Sequence, residues 1–324
     1  MPLDPGNRMG NTGFSKKRRP GPADPAMNKS FHRPFLSRIA ILLFILIGTP
    51  QAAIAESEKT LYEGDSIYNH ITIRQAGTNR CMIFGRHRDQ RQTCMSIPRP
   101  DESVFEYTAM MFVGFRFLPD TRNVCLIGLG GGYIPTVFRM HLPQVRLQSV
   151  EVDPLVVRLA KEHFSFQLAA GHALSVTDGR QYLRRTPEKF DQIWIDAFNS
   201  DYIPAHMTTR EFLELCRSRL SQNGIVVQNV HNSNQLFDAQ VTTFRSVFRY
   251  VYVFEGANSS NSIIVAAREP LYAPPRFCGE QCRGRIGPID LVRESRKFNP
   301  TPAIRKERIL TDDFNPANLL LNRK

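Results

Sequence analysis

The sequence predicts an α/β protein: a doubly wound, mostly parallel sheet preceded by a small β-rich cap. Three observations carry that expectation. Short apolar runs alternate with segments of helical periodicity between residues 124 and 267, as parallel strands and their crossover helices do. A glycine run, Gly128-Leu129-Gly130-Gly131-Gly132, falls between the first apolar run and the helix after it. Acidic residues stand where the next three runs end, at Glu151, Asp178 and Asp196.

The chain opens on a leader, residues 1–55. Residues 1–37 are rich in Pro, Gly, Asn and basic residues and lack apolar periodicity, the composition of a disordered segment. Arg38 then precedes an unbroken apolar run from Ile39 to Ile47. Such a run is short for a bilayer span but suits the apolar core of a signal peptide. Ala53-Ile54-Ala55 supplies small residues where a signal peptidase reads, and Met27 is a second candidate start. Cleaved signal and uncleaved anchor both send the rest of the chain outward, so the expected location is periplasmic, extracellular or anchored facing outward. Half of the net charge of +12 sits in this leader. The remaining excess is mild and spread over a large domain, weak evidence for a polyanion partner. With no zinc-finger spacing, RNA-binding aromatic signature or heptad run, a nucleic-acid partner is not expected.

Within the cap, residues 56–104, Asn69–Arg74 and Asn79–Phe84 read as strands around the Ala76-Gly77-Thr78 turn, and 91–97 as a third. Cys81 and Cys94 flank the polar stretch Arg86 to Arg91. A loop between strands brings its ends together, so a Cys81–Cys94 disulfide is expected in an oxidising compartment. Cys278 and Cys282 are expected to form a second bridge; four apart and without another pair, they do not read as a zinc site. Cys125 and Cys216, inside a strand and a helix, read as small core residues.

The nucleotide-binding domain is expected over 105–268. An apolar-rich helix spans 105–117. Strands follow at Val124–Gly128, Val145–Val150, Ala173–Val176, Phe190–Ile195 and Ile225–Val230, with helices at Tyr133–His141, Pro154–Phe164, Thr208–Leu220 and Leu236–Phe248. Tyr250–Phe254 and Ser262–Ala267 have no room for a helix between them and should close the sheet as an antiparallel hairpin, as in the S-adenosylmethionine-dependent methyltransferase type of this fold. Residues 269–324 read as an irregular tail.

Glycines at 128, 130, 131 and 132 permit a tight turn and close approach of a ligand to backbone. In an open α/β sheet, ligands bind outside the carboxyl ends of the strands. There Glu151 can accept ribose hydroxyl hydrogens and Asp178 the adenine amino group. No Lys-Ser/Thr follows the glycines, which excludes a P-loop, and Tyr133 occupies the last glycine position of the dinucleotide pattern.

These stretches resemble spermidine synthases. The likeness is carried by Cys125-Leu126-Ile127-Gly128-Leu129-Gly130-Gly131-Gly132, Val150-Glu151-Val152-Asp153-Pro154, Thr177-Asp178-Gly179-Arg180 and Phe190-Asp191-Gln192-Ile193-Trp194-Ile195-Asp196, and resumes at Leu310-Thr311-Asp312-Asp313-Phe314. It implies a donor, decarboxylated S-adenosylmethionine or S-adenosylmethionine itself, no tightly bound cofactor, and an amine acceptor. It leaves a homodimer open as the assembly. The family's glycine loop usually carries an Asp where this chain has Gly131. Its catalytic Asp-Ser-Ser-Asp-Pro appears as Asp196-Ala197-Phe198-Asn199-Ser200-Asp201, so Asp196 and Asp201 are the candidate catalytic acids. Of its Tyr-His-Glu only Tyr107 remains. The loop holding Tyr202 and His206 corresponds to the family's lid, His231 stands at the edge of the fifth strand, and Phe198 can stack on a ligand. Trp194 reads as core, and Arg180, Arg184 and Arg185 as a solvated helix face. Three readings stay open: an aminopropyltransferase relative using Asp201, a methyltransferase-like enzyme with another acceptor, and a non-catalytic nucleoside-binding protein.

Overall fold

The computed structural model describes residues 58–85, 91–198, 203–270, 284–305 and 307–321. The leader, the Cys278/Cys282 pair and the site candidates Asp201 and Tyr202 lie outside them.

The cap is one antiparallel sheet of β1 (Lys59–Asp65), β2 (His70–Ala76), β3 (Asn79–Phe84) and β4 (Arg91–Ser96), paired in that order. Sequence periodicity predicts only the last three. β1 is an edge strand with no fully buried residue, so it lacks the apolar alternation that marks a half-buried strand. Cys81 lies directly opposite Cys94 in the β3–β4 register, and the two are bonded. The bridge spans a sequence separation of 13, and closing a loop of that size stabilises by about 3 kcal/mol in the chain-entropy model. Reductant is therefore expected to lower the thermal midpoint of the purified protein. An unchanged midpoint after verified reduction would show that the cap does not depend on the staple.

A short helical stretch leads out of the cap: α1 (Glu106–Met110), a 3₁₀ turn over Met111–Val113 and α2 (Gly114–Phe117). β5 (Asn123–Ile127), α3 (Tyr133–His141), β6 (Arg146–Glu151), α4 (Pro154–His163), β7 (His172–Val176), α5 (Gly179–Arg185), β8 (Phe190–Ile195), α6 (Arg210–Arg219), β9 (Leu220–His231) and α7 (Gln235–Val247) continue the alternation. β10 (Tyr250–Glu255) and β11 (Asn261–Ala267) form the expected antiparallel hairpin. β12 (Arg285–Ile286) and β13 (Ile289–Asp290) pair with each other, and α8 (Leu291–Ser295), β14 (Phe298–Asn299) and α9 (Ala317–Leu321) follow. The large sheet runs β14-β10-β11-β9-β8-β5-β6-β7. β5 to β9 are mutually parallel.

Where sequence reading starts the fifth strand, at Ile225, β9 is already running. A register shift between its Leu220 and Ile225 pairings with β8 absorbs the extra residues. Helix starts follow capping chemistry. Pro154 opens α4 behind the Asp153 cap, and Thr209 caps α6 by accepting from the Phe212 N–H at 3.3 Å.

Apolar layers cover both faces of the sheet. Trp194 is fully buried, edge-on to Phe112, Phe115 and Phe138. Its indole N–H donates to Gln192 at 2.8 Å, so the ring is buried without an orphaned donor. The cap docks through Ile71, Ile73, Met82, Phe84 and Met95 against Val156, Leu159 and Phe164 around α4. Each such side chain contributes about 1.5–3 kcal/mol on leaving water. This docking sets the cap over the carboxyl ends of the parallel strands.

Candidate functional site

The first strand's exit is held by close backbone contacts. Gly128 has φ of +100°, and a Cβ there would lie 2.3 Å from the Asp196 carbonyl oxygen. Its N–H donates to the Val150 carbonyl at 2.8 Å, while the Asp196 N–H donates to the Ile127 carbonyl at 2.9 Å. Only glycine fits that junction. The ends of β5, β6 and β8 are thereby drawn around one cavity of about 650 Å³, a size suited to a nucleoside ligand.

Gly128, Gly130, Glu151, Asp178, Asp196, Tyr107, Phe198, His206 and His231 all line it. Gly131 and Gly132 turn away. A Cβ at 131 would come within 2.9 Å of the Phe164 ring and 3.0 Å of Thr93, and Gly132, at φ of +78°, packs on Phe166 and caps α3. The loop acid of the resemblance is therefore not simply missing. Phe164 and Thr93 fill its place.

Glu151 is buried and accepts backbone N–H groups on both oxygens, from Leu129 at 2.9 Å and Asp153 at 3.0 Å. Burial raises its pKa, and those two donors oppose the shift. The carboxylate thus fixes the glycine loop and still has lone pairs for a ribose diol. Replacing it by Ala is expected to weaken binding of methylthioadenosine at least tenfold, the cost of about 1.4 kcal/mol from one lost hydrogen-bonding group. Equal affinity of both proteins in calorimetry would remove Glu151 from the nucleoside site.

Asp178 caps α5 through Gln181 and also meets His206 Nε2 at 2.8 Å. The His206 contact is the main reason its pKa is lowered. A ligand group reaching Asp178 would share it with His206. The backbone at His206 is itself anchored. Arg180 donates to the His206 carbonyl at 2.9 Å and grips Asp312 with both terminal nitrogens. Arg180 is buried, at 7% exposure, which corrects its reading as part of a solvated face. A helix-face pattern is local, whereas its partner comes from the far end of the chain.

Asp196 lies in the cavity wall. Desolvation raises its pKa to about 7 against the pull of the Asn229 side chain, which donates to Oδ1 at 3.0 Å. Asn261 donates in turn to Asn229 Oδ1 at 2.9 Å. Tyr107 is held neutral, its pKa raised by burial and by Asp196, and its hydroxyl donates to the Gln92 carbonyl at 3.4 Å. His231 stands edge-on to Phe198 with ring centroids 5.3 Å apart. Glu106, also in the wall, is engaged elsewhere. Desolvation would raise it, but Lys297 and the Asn258 and Ala257 N–H groups together pull it down to about 2.

Sequence reading missed Gln92, Thr93, Asn229 and Asn261, all of which line the cavity. Strand alternation could have found Asn229, two residues before His231 and so on the same side of β9. Gln92 and Thr93 enter only through cap docking.

Fold and site together define a Rossmann-like domain whose strand-end acids surround a nucleoside-sized cavity under a β cap. The spermine/spermidine synthase domain family model matches residues 104–255. The polyamine aminopropyltransferase of Vibrio vulnificus (strain CMCP6) is 30% identical over 292 residues, 86% of this chain and 98% of that protein. That of Neisseria meningitidis serogroup A is 26% identical over 213 residues, 64% of this chain and 80% of that protein. The crystal structure of spermidine synthase from Thermotoga maritima superposes with a TM-score of 0.54 at 20% identity, over 82% of this chain and 85% of that one, and bears on the fold. The chain belongs to the spermine/spermidine synthase family.

Proposed function

We propose that this chain transfers an aminopropyl group from decarboxylated S-adenosylmethionine to an amine. The observation that carries the reading is the place of Asp196: its carboxylate lies in the cavity wall, hydrogen-bonded by Asn229, where desolvation pushes its pKa up to about 7. A base poised at the working pH is what deprotonation of an attacking amine requires. In the reaction the amine nitrogen bonds to the donor carbon beside the sulfonium. The carbon–sulfur bond breaks, its electron pair stays on sulfur, and neutral methylthioadenosine leaves. The proton shed by the amine passes to Asp196. Family membership and the name of the Vibrio relative support the reading. Glu151 and Asp178 supply the nucleoside half, Glu151 toward the ribose and Asp178, with His206, toward adenine. The packing at Gly131 means that the donor's own amine is held differently from the family pattern.

Because the base works ionised, the rate should fall as pH drops below about 7. The test is incubation of purified protein with donors labelled in the aminopropyl or the methyl group, together with a panel of amines. Aminopropyl label in the amine, with methylthioadenosine released, is expected. Methyl transfer, or binding without turnover, overturns the reading. Asp201, outside the described residues, competes for the base's role. Full activity in Asp201→Asn alongside loss in Asp196→Asn assigns the proton to Asp196.

We also propose that the chain acts after export. The Cys81–Cys94 bridge supports this, because disulfides persist in oxidising compartments. Recovery of the chain in the cytosolic fraction with its leader intact would overturn it.

A further inference from the structure

We infer that Asn229 and Asn261 are positioning residues that hold the Asp196 carboxylate in its proton-accepting orientation; the inference rests on the reading of Asp196 as the base. Hydrogen-bond logic dictates the arrangement. An ionised carboxylate only accepts, so the Asn229 amide must turn its nitrogen toward Asp196, and Nδ2 lies 3.0 Å from Oδ1. That turn leaves the Asn229 oxygen on the far side, where Asn261 Nδ2 meets it at 2.9 Å. One carboxylate thereby sets the direction of two amides, whose orientation is otherwise ambiguous.

The strand geometry explains why two residues are needed. Asn229 is 1% exposed and sits two residues before the end of β9. Asn261 opens the neighbouring antiparallel strand, opposite His231. The ionised carboxylate orients Asn229 by itself, but once Asp196 is protonated only Asn261, donating to Asn229 Oδ1, still holds that orientation. A turned amide would present oxygen to Asp196, and that contact is favourable only if Asp196 keeps a proton to donate. Asn261 therefore acts at one remove, by denying Asn229 the orientation that favours the protonated acid. In the enclosed wall, where burial already works against ionisation, a fixed donor has more effect than it would in water. The other titratable groups lining the same cavity are Tyr107 on α1, His231 at the end of β9, Glu106, Glu151, Asp153, Asp178, His206, Tyr68, Tyr133 and Arg91. The Asn229 amide, 3.0 Å from Asp196 Oδ1, is the contact whose loss the titration reads.

The test is a carbon NMR titration of full-length protein labelled at aspartate Cγ, with the Asp196 resonance identified by its loss in Asp196→Asn. The wild-type midpoint is expected near 7. Asn229→Ala should raise it by about one unit, the size of a lost hydrogen bond to a charged group. Asn261→Asp is the companion variant, nearly isosteric and so safe for folding. Its added carboxylate has no proton to give Asn229 when ionised, so it too should raise the midpoint. The acidic limb of kcat/KM should move with the resonance. An unmoved midpoint in both variants, even with a lower rate, would make the pair merely structural and overturn the inference. Absence of turnover in the wild type would overturn the transfer reading alone, because the resonance still reads the relay.

Discussion

Asp196→Asn is expected to lower turnover by about 10²–10⁴-fold, the usual cost of losing a general base, and to make the protein more stable above neutral pH. The second effect follows from the same burial that tunes the first. In the unfolded chain Asp196 titrates near its ordinary value of 3.8, and in the folded chain near 7. Between those values the folded state holds a proton that the unfolded state has released. Stability therefore falls as pH rises through that window, and above it the full penalty remains. The penalty is of order a few kcal/mol, since each unit is worth about 1.4. Asn carries no ionisation, still accepts from Asn229, and so escapes it. Thermal unfolding at pH 5 and pH 8, beside kcat at both, checks the pair of effects. The variant should gain more at pH 8 than at pH 5. A variant less stable than wild type at pH 8 would show that the ionised carboxylate is stabilising, contrary to its raised pKa.

Asp312→Ala should destabilise the fold and weaken the site together. It strands the Arg180 guanidinium, whose side chain is only 8% exposed. It also removes the acceptor for the Thr209 hydroxyl at 2.8 Å. Breaking a fully buried ion pair costs about 3–5 kcal/mol. Here about 2–3 is expected, because the Asp312 side chain keeps 40% exposure and part of its field is already screened. The loss should also reach the cavity, since Arg180 holds the backbone at His206, whose ring rests on Asp178. Urea unfolding and calorimetry with methylthioadenosine measure the two consequences. Asp312→Asn, which keeps an acceptor but loses the charge, should fall between. Wild-type stability and affinity in Asp312→Ala would show that the tail plays no part in the site.

The elements read correctly from sequence share one property: their signal is local. Alternation of apolar runs with helical periodicity announces the parallel sheet because period and burial are set within a few residues. Gly128 and the acids at strand ends were legible for the same reason, since a tight turn and a strand terminus constrain their own residues. The Cys81–Cys94 bridge belongs here too, because a hairpin of that length brings its own ends together. What escaped was set by pairing across distance. β1, an edge strand, carries no alternation to read.

Arg180 looks like any solvated arginine until residue 312 is folded against it. Asn261 becomes part of the site only because β11 pairs with β9 in the register that sets it opposite His231. Gly131 could be read as a lost acid, yet only packing shows that Phe164 and Thr93 occupy the space. The chain's own pattern thus determined the layers, the cavity edge of the sheet and the acids at the strand ends. Tertiary structure alone decided the acid–base character of Asp196 and the anchoring of the His206 loop. A pKa and a buried ion pair depend on what surrounds a group in space, and those neighbours lie tens of residues away along the chain.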